Sequence, residues 1–281
     1  MVKIITDSAS DLPKEYIKKY NIEIVPLTVE LEGKIYKDGV DITTEKFNQL
    51  MIKSNQLPKT AHPSPETFKK VFLKYINDGY DILCLTISSK LSGTYQSAMI
   101  AKNNIKTSEK IFVFDTLAAS SGEALQVIKA SKLIQKGEKI KEVLRKLTEY
   151  RNRINILILL DTLENIVKGG RLTKIQGVIA KILNFKIILH NNEGAVEMLE
   201  KIRGKKRFFK KVLEIIDERM KKLNLSNLNV GITHVDNIEE AMMFKKIIEE
   251  KYNPKDIFVN HMGATIATYA GRGGIIISFW F

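Results

Sequence analysis

An α/β fold in two domains is what this sequence predicts, and three observations carry the prediction. Short apolar, β-branched runs alternate with helical stretches through the first half, the pattern of a mainly parallel sheet with flanking helices. In the second half several strands adjoin one another in sequence, which calls for a mixed or antiparallel sheet with helices. The 281 residues are enough to build two cores. The change of pattern sets the boundary near residue 155, giving an N-terminal domain over 1–154 and a C-terminal domain over 155–281.

Val2 to Thr6 is a strand that stops at Asp7-Ser-Ala-Ser-Asp-Leu-Pro13, where Asp and Ser close turns with their own side chains. Pro13 suits the entry to a helix through Lys14 to Tyr20. Ile22 to Leu31 reads as one strand, with Pro26 arguing for an edge or a bulge. Glu32-Gly33 turns the chain back into Lys34 to Lys37, and Thr43 to Met51 is a helix. Three prolines between Leu57 and Pro65 fix an extended loop that presents Thr60, His62 and Ser64. Phe68, Val71, Phe72, Tyr75 and Ile76 recur at helical spacing. The runs Asp81 to Ile87 and Lys110 to Asp115 are strands, with a helix from Tyr95 to Asn104 between them. Helices follow from Ala118 to Gln135 and from Ile140 to Tyr150. The carboxyl ends of the parallel strands form the ligand edge of such a sheet, which places Ser8, Ser92 and Thr116 there.

Beyond the boundary, Ile154 to Leu160 is a strand, and Phe185 to His190 pairs with Ala195 to Ile202 around Asn191-Asn-Glu-Gly194. A long helix runs from Lys205 to Leu223. Then come a strand at Leu228 to His234, a helix through Ile238 to Ile248, a short strand at Ile257 to Asn260, a helix at Ala264 to Ala270 and a last strand at Gly274 to Phe279.

Composition excludes several classes. No apolar run reaches 18 residues, so no transmembrane helix is expected, and the first strand is too short and too soon followed by Asp7 to be a signal peptide. The lone Cys84 lies inside a strand and reads as a small buried hydrophobe. A cytoplasmic protein is the expectation. The formal charge of +13 is spread along helix faces, without a nucleic-acid motif or interleaved aromatics, so no nucleic acid is expected. Four scattered histidines without ligand spacing predict no metal. Asp7, Asp115 and Asp161 read as turn caps at strand ends, though catalytic carboxylates would look the same.

The stretch Thr86-Ile-Ser-Ser-Lys-Leu-Ser-Gly-Thr-Tyr-Gln-Ser-Ala98 carries the sharpest chemistry. A strand passing through Ser and Gly into a helix offers free N–H groups at the positive end of the helix dipole, which suits a phosphate or carboxylate. An ordinary capped βα turn has the same pattern. An acyl- or phospho-transfer enzyme using the Ser-rich loop 88–94 is the alternative reading. Against it, there is no Gly-x-Ser-x-Gly elbow, no phosphate-binding Gly-x-x-x-x-Gly-Lys-Ser/Thr loop, and no identifiable base for Ser92 among His62, His190, His234 and His261.

Several motifs then coincide: Thr6-Asp-Ser-Ala-Ser-Asp-Leu-Pro13, Asp38-Gly-Val-Asp-Ile42, Pro63-Ser-Pro65, Ser88 to Ala98, Leu163-Glu-Asn165 with Gly169-Gly-Arg171, and Gly263-Ala-Thr-Ile-Ala-Thr268 with Gly271 and Gly273. In that order and spacing the chain closely resembles the DegV family of bacterial fatty-acid-binding proteins over nearly its whole length. The resemblance implies a non-catalytic protein of two α/β domains that buries a long-chain fatty acid between them and presents it to a separate fatty acid kinase. No cofactor is implied. Matched position by position, Thr60 and Ser92 hold the carboxylate, with Gly93 adding a backbone N–H. Arg171 and Arg203 match basic residues that dock the kinase, and the cluster Lys201 to Lys211 becomes a positive surface for an acidic protein patch. Three departures stand out. Tyr269 occupies the place of a family histidine, Arg272 that of a proline, and the proline loop reads Thr60-Ala-His-Pro-Ser64. Tyr269 still donates a hydrogen bond but brings no positive charge near pH 7, and His62 is the candidate to replace the missing imidazole.

Overall fold

The computed structural model describes residues 1–54, 56–172, 185–221 and 227–280. In chain order the first half comprises β1 (Val2–Asp7), α1 (Lys14–Lys19), β2 (Glu23–Val25), β3 (Thr28–Leu31), β4 (Lys34–Lys37), α2 (Thr44–Lys53), β5 (Lys59–Ala61), α3 (Pro65–Asn77), β6 (Asp81–Thr86), α4 (Thr94–Asn103), β7 (Ile111–Asp115), α5 (Ser121–Gln135) and α6 (Ile140–Arg151). The second half comprises β8 (Asn155–Leu160), α7 (Glu164–Lys168), β9 (Phe185–Asn192), β10 (Ala195–Arg203), α8 (Lys205–Met220), β11 (Asn229–His234), α9 (Ile238–Tyr252), β12 (Asp256–His261), α10 (Ala264–Ala270) and β13 (Ile275–Trp280). The helix expected over 205–223 is α8, and residues 222 and 223 lie outside the described residues.

These strands make three sheets. A parallel sheet has the order β2-β1-β6-β7, and a small antiparallel one the order β4-β3-β5. The third is a six-stranded mixed sheet, β10-β9-β8-β13-β11-β12, in which only β11 and β12 pair in parallel. Strands of the first two sheets all precede residue 154, and those of the third all follow it.

Alternation along β8 explains how the large sheet is used. Ile156, Ile158 and Leu160 turn to one face with Ile187, Leu189 and Ile276, and join a core shared with Leu27, Ile87 and Ala118 of the first half. Leu157 and Leu159 turn to the other face, against Val212 and Ile216 of α8 and Phe244 and Ile248 of α9. A sheet covered on both sides needs the near-continuous apolar strands that the sequence has.

Helix α5 is buried almost all round because it lies between the two large sheets, touching β1 and β6 as well as β11 and β13. Polar pairs fix it on both sides. Thr6 Oγ1 donates to Glu123 Oε1 at 2.9 Å, and the Ser121 and Ser278 hydroxyls lie 2.8 Å apart. Gly231 makes the approach possible, since a Cβ there would stand 2.6 Å from the Phe258 ring and 3.0 Å from Ser121 Cβ.

Besides the short α7, which the sequence did not announce, three elements differ from expectation, each for a local reason. The single strand over 22–31 is two strands in different sheets, because Pro26 has no N–H to donate and breaks the ladder, leaving β2 at an edge. Within the proline loop, Lys59–Ala61 pairs with β3 as an edge strand, between Pro58 and Pro63. The helix expected from Ala118 starts only at Ser121. Leu117 and Ser120 hold positive φ, and Ser120 first crosses the turn after β1, its N–H donating to Ala9 O at 2.7 Å and its hydroxyl to Asp11 Oδ2 at 2.5 Å.

Candidate binding cavity

Helix α10 is positioned by carboxylates from the far end of the chain. Its first N–H groups need acceptors from outside the helix. Asp38 supplies two, taking Ala264 N at 2.8 Å and Thr265 N at 3.0 Å, while Asp11 Oδ1 takes Gly263 N at 2.7 Å. Thr265, Ile266, Tyr269 and Ala270 then share one face of α10, at the spacing that puts them in line.

The loop after β6 is pinned just as closely. Asp7 Oδ2 accepts from Ile87 N at 2.9 Å, Ser88 N donates to Ala118 O at 2.8 Å, and the Ser88 hydroxyl donates to Gly194 O at 2.8 Å across to the β9–β10 hairpin. Leu91 and Ser92 are thereby held towards α10. Ser92 Oγ lies 2.9 Å from Thr94 Oγ1 at the start of α4.

Between these parts is a cavity of about 640 Å³, counted to its open mouth. Leu27, Ile87, Ile158, Leu160, Ile166 and Ile276 supply much of its apolar wall, and its polar side chains are Thr60, Ser92, Thr265, Tyr269 and Arg171. Thr60 Oγ1 and Tyr269 Oη are 2.5 Å apart, joining β5 to α10. The Tyr269 ring lies over Gly169, where a Cβ would come within 2.5 Å of it. On the ring sits the Arg171 guanidinium, 5.1 Å from its centroid. Arg171 also donates from Nε to Leu91 O at 3.2 Å and from Nη1 to Gly169 O at 2.6 Å, and so reaches the Ser92 loop.

The expected site residues therefore divide. Thr60, Ser92 and Tyr269 meet at one cavity, and Arg171, expected on a docking surface, is in its wall. His62 is exposed, with its ring against Gly93; a Cβ on that glycine would be 2.8 Å from His62 Cε1. Neither His62 nor Gly93 is in the wall. Arg203 is exposed at the end of β10. Ser8 and Thr116 do stand just past the carboxyl ends of β1 and β7, but outside the cavity wall: Ser8 Oγ accepts from Leu27 N at 3.0 Å, and buried Thr116 donates to Thr86 O at 2.7 Å. Asp7 and Asp115 do cap turns, whereas Asp161 pairs with Lys186. Thr265 escaped notice in the sequence, although it stands four residues before Tyr269.

Burial governs the titrating groups around this frame. It pushes the Asp7 carboxyl up to about 7 and raises Asp11 and Glu123 well above the usual carboxylate range. Burial and then His261 lower His234 to about 4. Among the described residues no group of three or more His, Cys, Asp and Glu side chains is placed to hold a metal ion, and no helix is long and apolar enough to cross a membrane.

Fold and cavity together define an α/β protein of three sheets with a largely apolar interior site that carries hydroxyls and one guanidinium. The family model described as uncharacterised protein, DegV family, matches residues 1–280, and the chain belongs to that family. A fatty acid-binding protein of Thermotoga maritima is 33% identical, with 98% of this chain and 96% of that protein covered. The solved structure of a DegV family protein from Thermus thermophilus, described by its fatty acid binding, is 30% identical with a TM-score of 0.91, covering 99% of both chains. A stearic acid-binding protein from Eubacterium ventriosum is 27% identical with a TM-score of 0.92, covering 100% of this chain and 98% of that one.

Proposed function

We propose that this protein binds a long-chain fatty acid in the cavity, with the carboxylate between Thr60 and Ser92, and that it carries the acid rather than transforming it. The observation behind this reading is the meeting of Thr60, Ser92 and Tyr269 at one largely apolar cavity. Apolar walls supply most of the affinity: burying about fourteen methylenes at about 0.8 kcal/mol each is worth ~11 kcal/mol gross. A hydrogen bond to the charged head adds about 1.5–3 kcal/mol. Tyr269 acts through Thr60, holding its hydroxyl in place, and Arg171 brings positive charge to the same mouth. Gly93, at the start of α4, and His62, whose ring lies against it, stand outside the wall and add an N–H and an imidazole beside Ser92.

A carrier is favoured over an acyl- or phospho-transfer enzyme because Ser92 Oγ bonds to Thr94 and to no histidine among the described residues. A nucleophilic serine needs a base within hydrogen-bond reach. Presentation of the bound acid to an acidic kinase surface in the cytoplasm suits the exposed Arg203 and the basic α8 that follows it. The two halves, 1–154 and 155–281, act as the domains that close over the acid.

Titration of delipidated protein with hexadecanoate tests the reading. The protein should bind it, and Thr60→Ala with Ser92→Ala should weaken binding by about tenfold or more. Equal affinity in the double variant would remove the head-group assignment.

A further inference from the structure

Thr265 lines the cavity and carries a buried hydroxyl with nothing to bond. The residue is 2% exposed, and its Oγ1 has no hydrogen-bond partner among the described residues. Several other buried polar atoms share that condition, but Thr265 is the one that belongs to this wall. The cause is positional. Thr268, one turn on, returns its hydroxyl to Ala264 O at 2.8 Å, the usual outlet for a helical threonine. Thr265 is the second residue of α10, and the carbonyl four residues back belongs to His261 at the end of β12, outside the helix. Its own N–H is already bound by Asp38. A buried hydroxyl left unbonded is unfavourable, and valine would fill the same shape without that penalty. The remaining outlet is the cavity.

We propose that Thr265 selects the class of acyl chain: the cavity takes a long-chain acid that carries a hydroxyl, and that hydroxyl pairs with Thr265 Oγ1. The proposal rests on reading the cavity as a fatty-acid site and names its ligand more closely. Thr265 and Tyr269 stand four residues apart on one helix face, about 6 Å along the axis. Since Tyr269 marks the head-group end through Thr60, the paired hydroxyl falls a few carbons beyond the carboxylate and not at the methyl terminus. Every other polar group in the wall is either bonded to a neighbour or assigned to the head.

The test is a competition series on delipidated full-length protein, using hexadecanoate and monohydroxy hexadecanoates with the hydroxyl moved stepwise from carbon three to carbon ten. In the native protein one isomer should bind about threefold to tenfold more tightly than the parent acid. Thr265→Val should abolish that advantage, and Thr265→Ser should keep it. The backbone bond to Asp38 survives both changes, so folding is checked by a thermal melt alongside. If no isomer outbinds hexadecanoate in the native protein, as when a water satisfies Thr265, the proposal fails. It fails equally if the advantage persists in Thr265→Val. Absence of binding to any of these acids would instead overturn the fatty-acid reading, and the proposal with it.

Discussion

Tyr269 joins three parts of the site at once: its hydroxyl to Thr60, its ring to Gly169, and its face to Arg171. Tyr269→Phe keeps the ring and removes only the hydroxyl. Hexadecanoate affinity should fall by about threefold to tenfold, read by calorimetric titration, with the rest of the binding carried by the apolar wall. Gly169→Ala should cost at least as much, because the new methyl would stand 2.5 Å from the ring and push it off Thr60. An affinity unchanged in both variants would remove Tyr269 from the site. At this scale Thr60, Ser92 and Tyr269 were legible as motif positions. Arg171 was legible as a motif position but not as a wall residue, because its reach to Leu91 O depends on how the two halves pack. The proline loop points to His62, but just past β5 that side chain is exposed, against Gly93.

Among the elements, α10 matters most, since Thr265, Ile266, Tyr269 and Ala270 all line the cavity and its start rests on Asp38 and Asp11. Asp38→Ala removes the acceptor of two buried N–H groups. Stability should drop by about 1–2 kcal/mol, as for loss of a helix cap, and hexadecanoate should bind more weakly because Tyr269 shifts with its helix. Denaturant unfolding and titration on the same sample read both effects; a loss of stability with full affinity would separate α10 from the site. Element types followed from periodicity and turn residues almost throughout. The clamp on α10 did not, because Asp38 and Gly263 are distant in sequence and only the packed sheets bring them together. The late start of α5 was hidden for a similar reason: Ser120 is held by Ala9 and Asp11, which no local pattern announces.

For the molecule as a whole, the buried carboxylates where the halves meet set a pH dependence. Asp7 is buried with Cys84, Glu123 and Asp38 near enough to interact and no cation beside it among the described residues, and burial holds its pKa at about 7 against an ordinary 3.8. The folded protein thus keeps a proton that the unfolded chain releases between those values. Asp7's contribution to stability is therefore full below about pH 3.8 and is lost as pH rises through about 7. Asp7→Asn, which cannot ionise, should flatten the fall in melting temperature as pH rises from about 3.8 to about 7; parallel profiles would contradict the assignment. The change from a parallel to a mixed sheet was readable from the switch between alternating and adjacent strands near residue 155. How the two sheets meet was not, since α5 sits between them although it precedes β8.

The most direct measurement is the carbon-13 spectrum of hexadecanoate labelled at its carboxyl carbon and bound to delipidated protein. One bound resonance is predicted, displaced from that of the free acid and moved again by Ser92→Ala and by Thr60→Ala. A spectrum without a bound resonance, or one that neither substitution alters, would contradict a carboxylate held between those two hydroxyls.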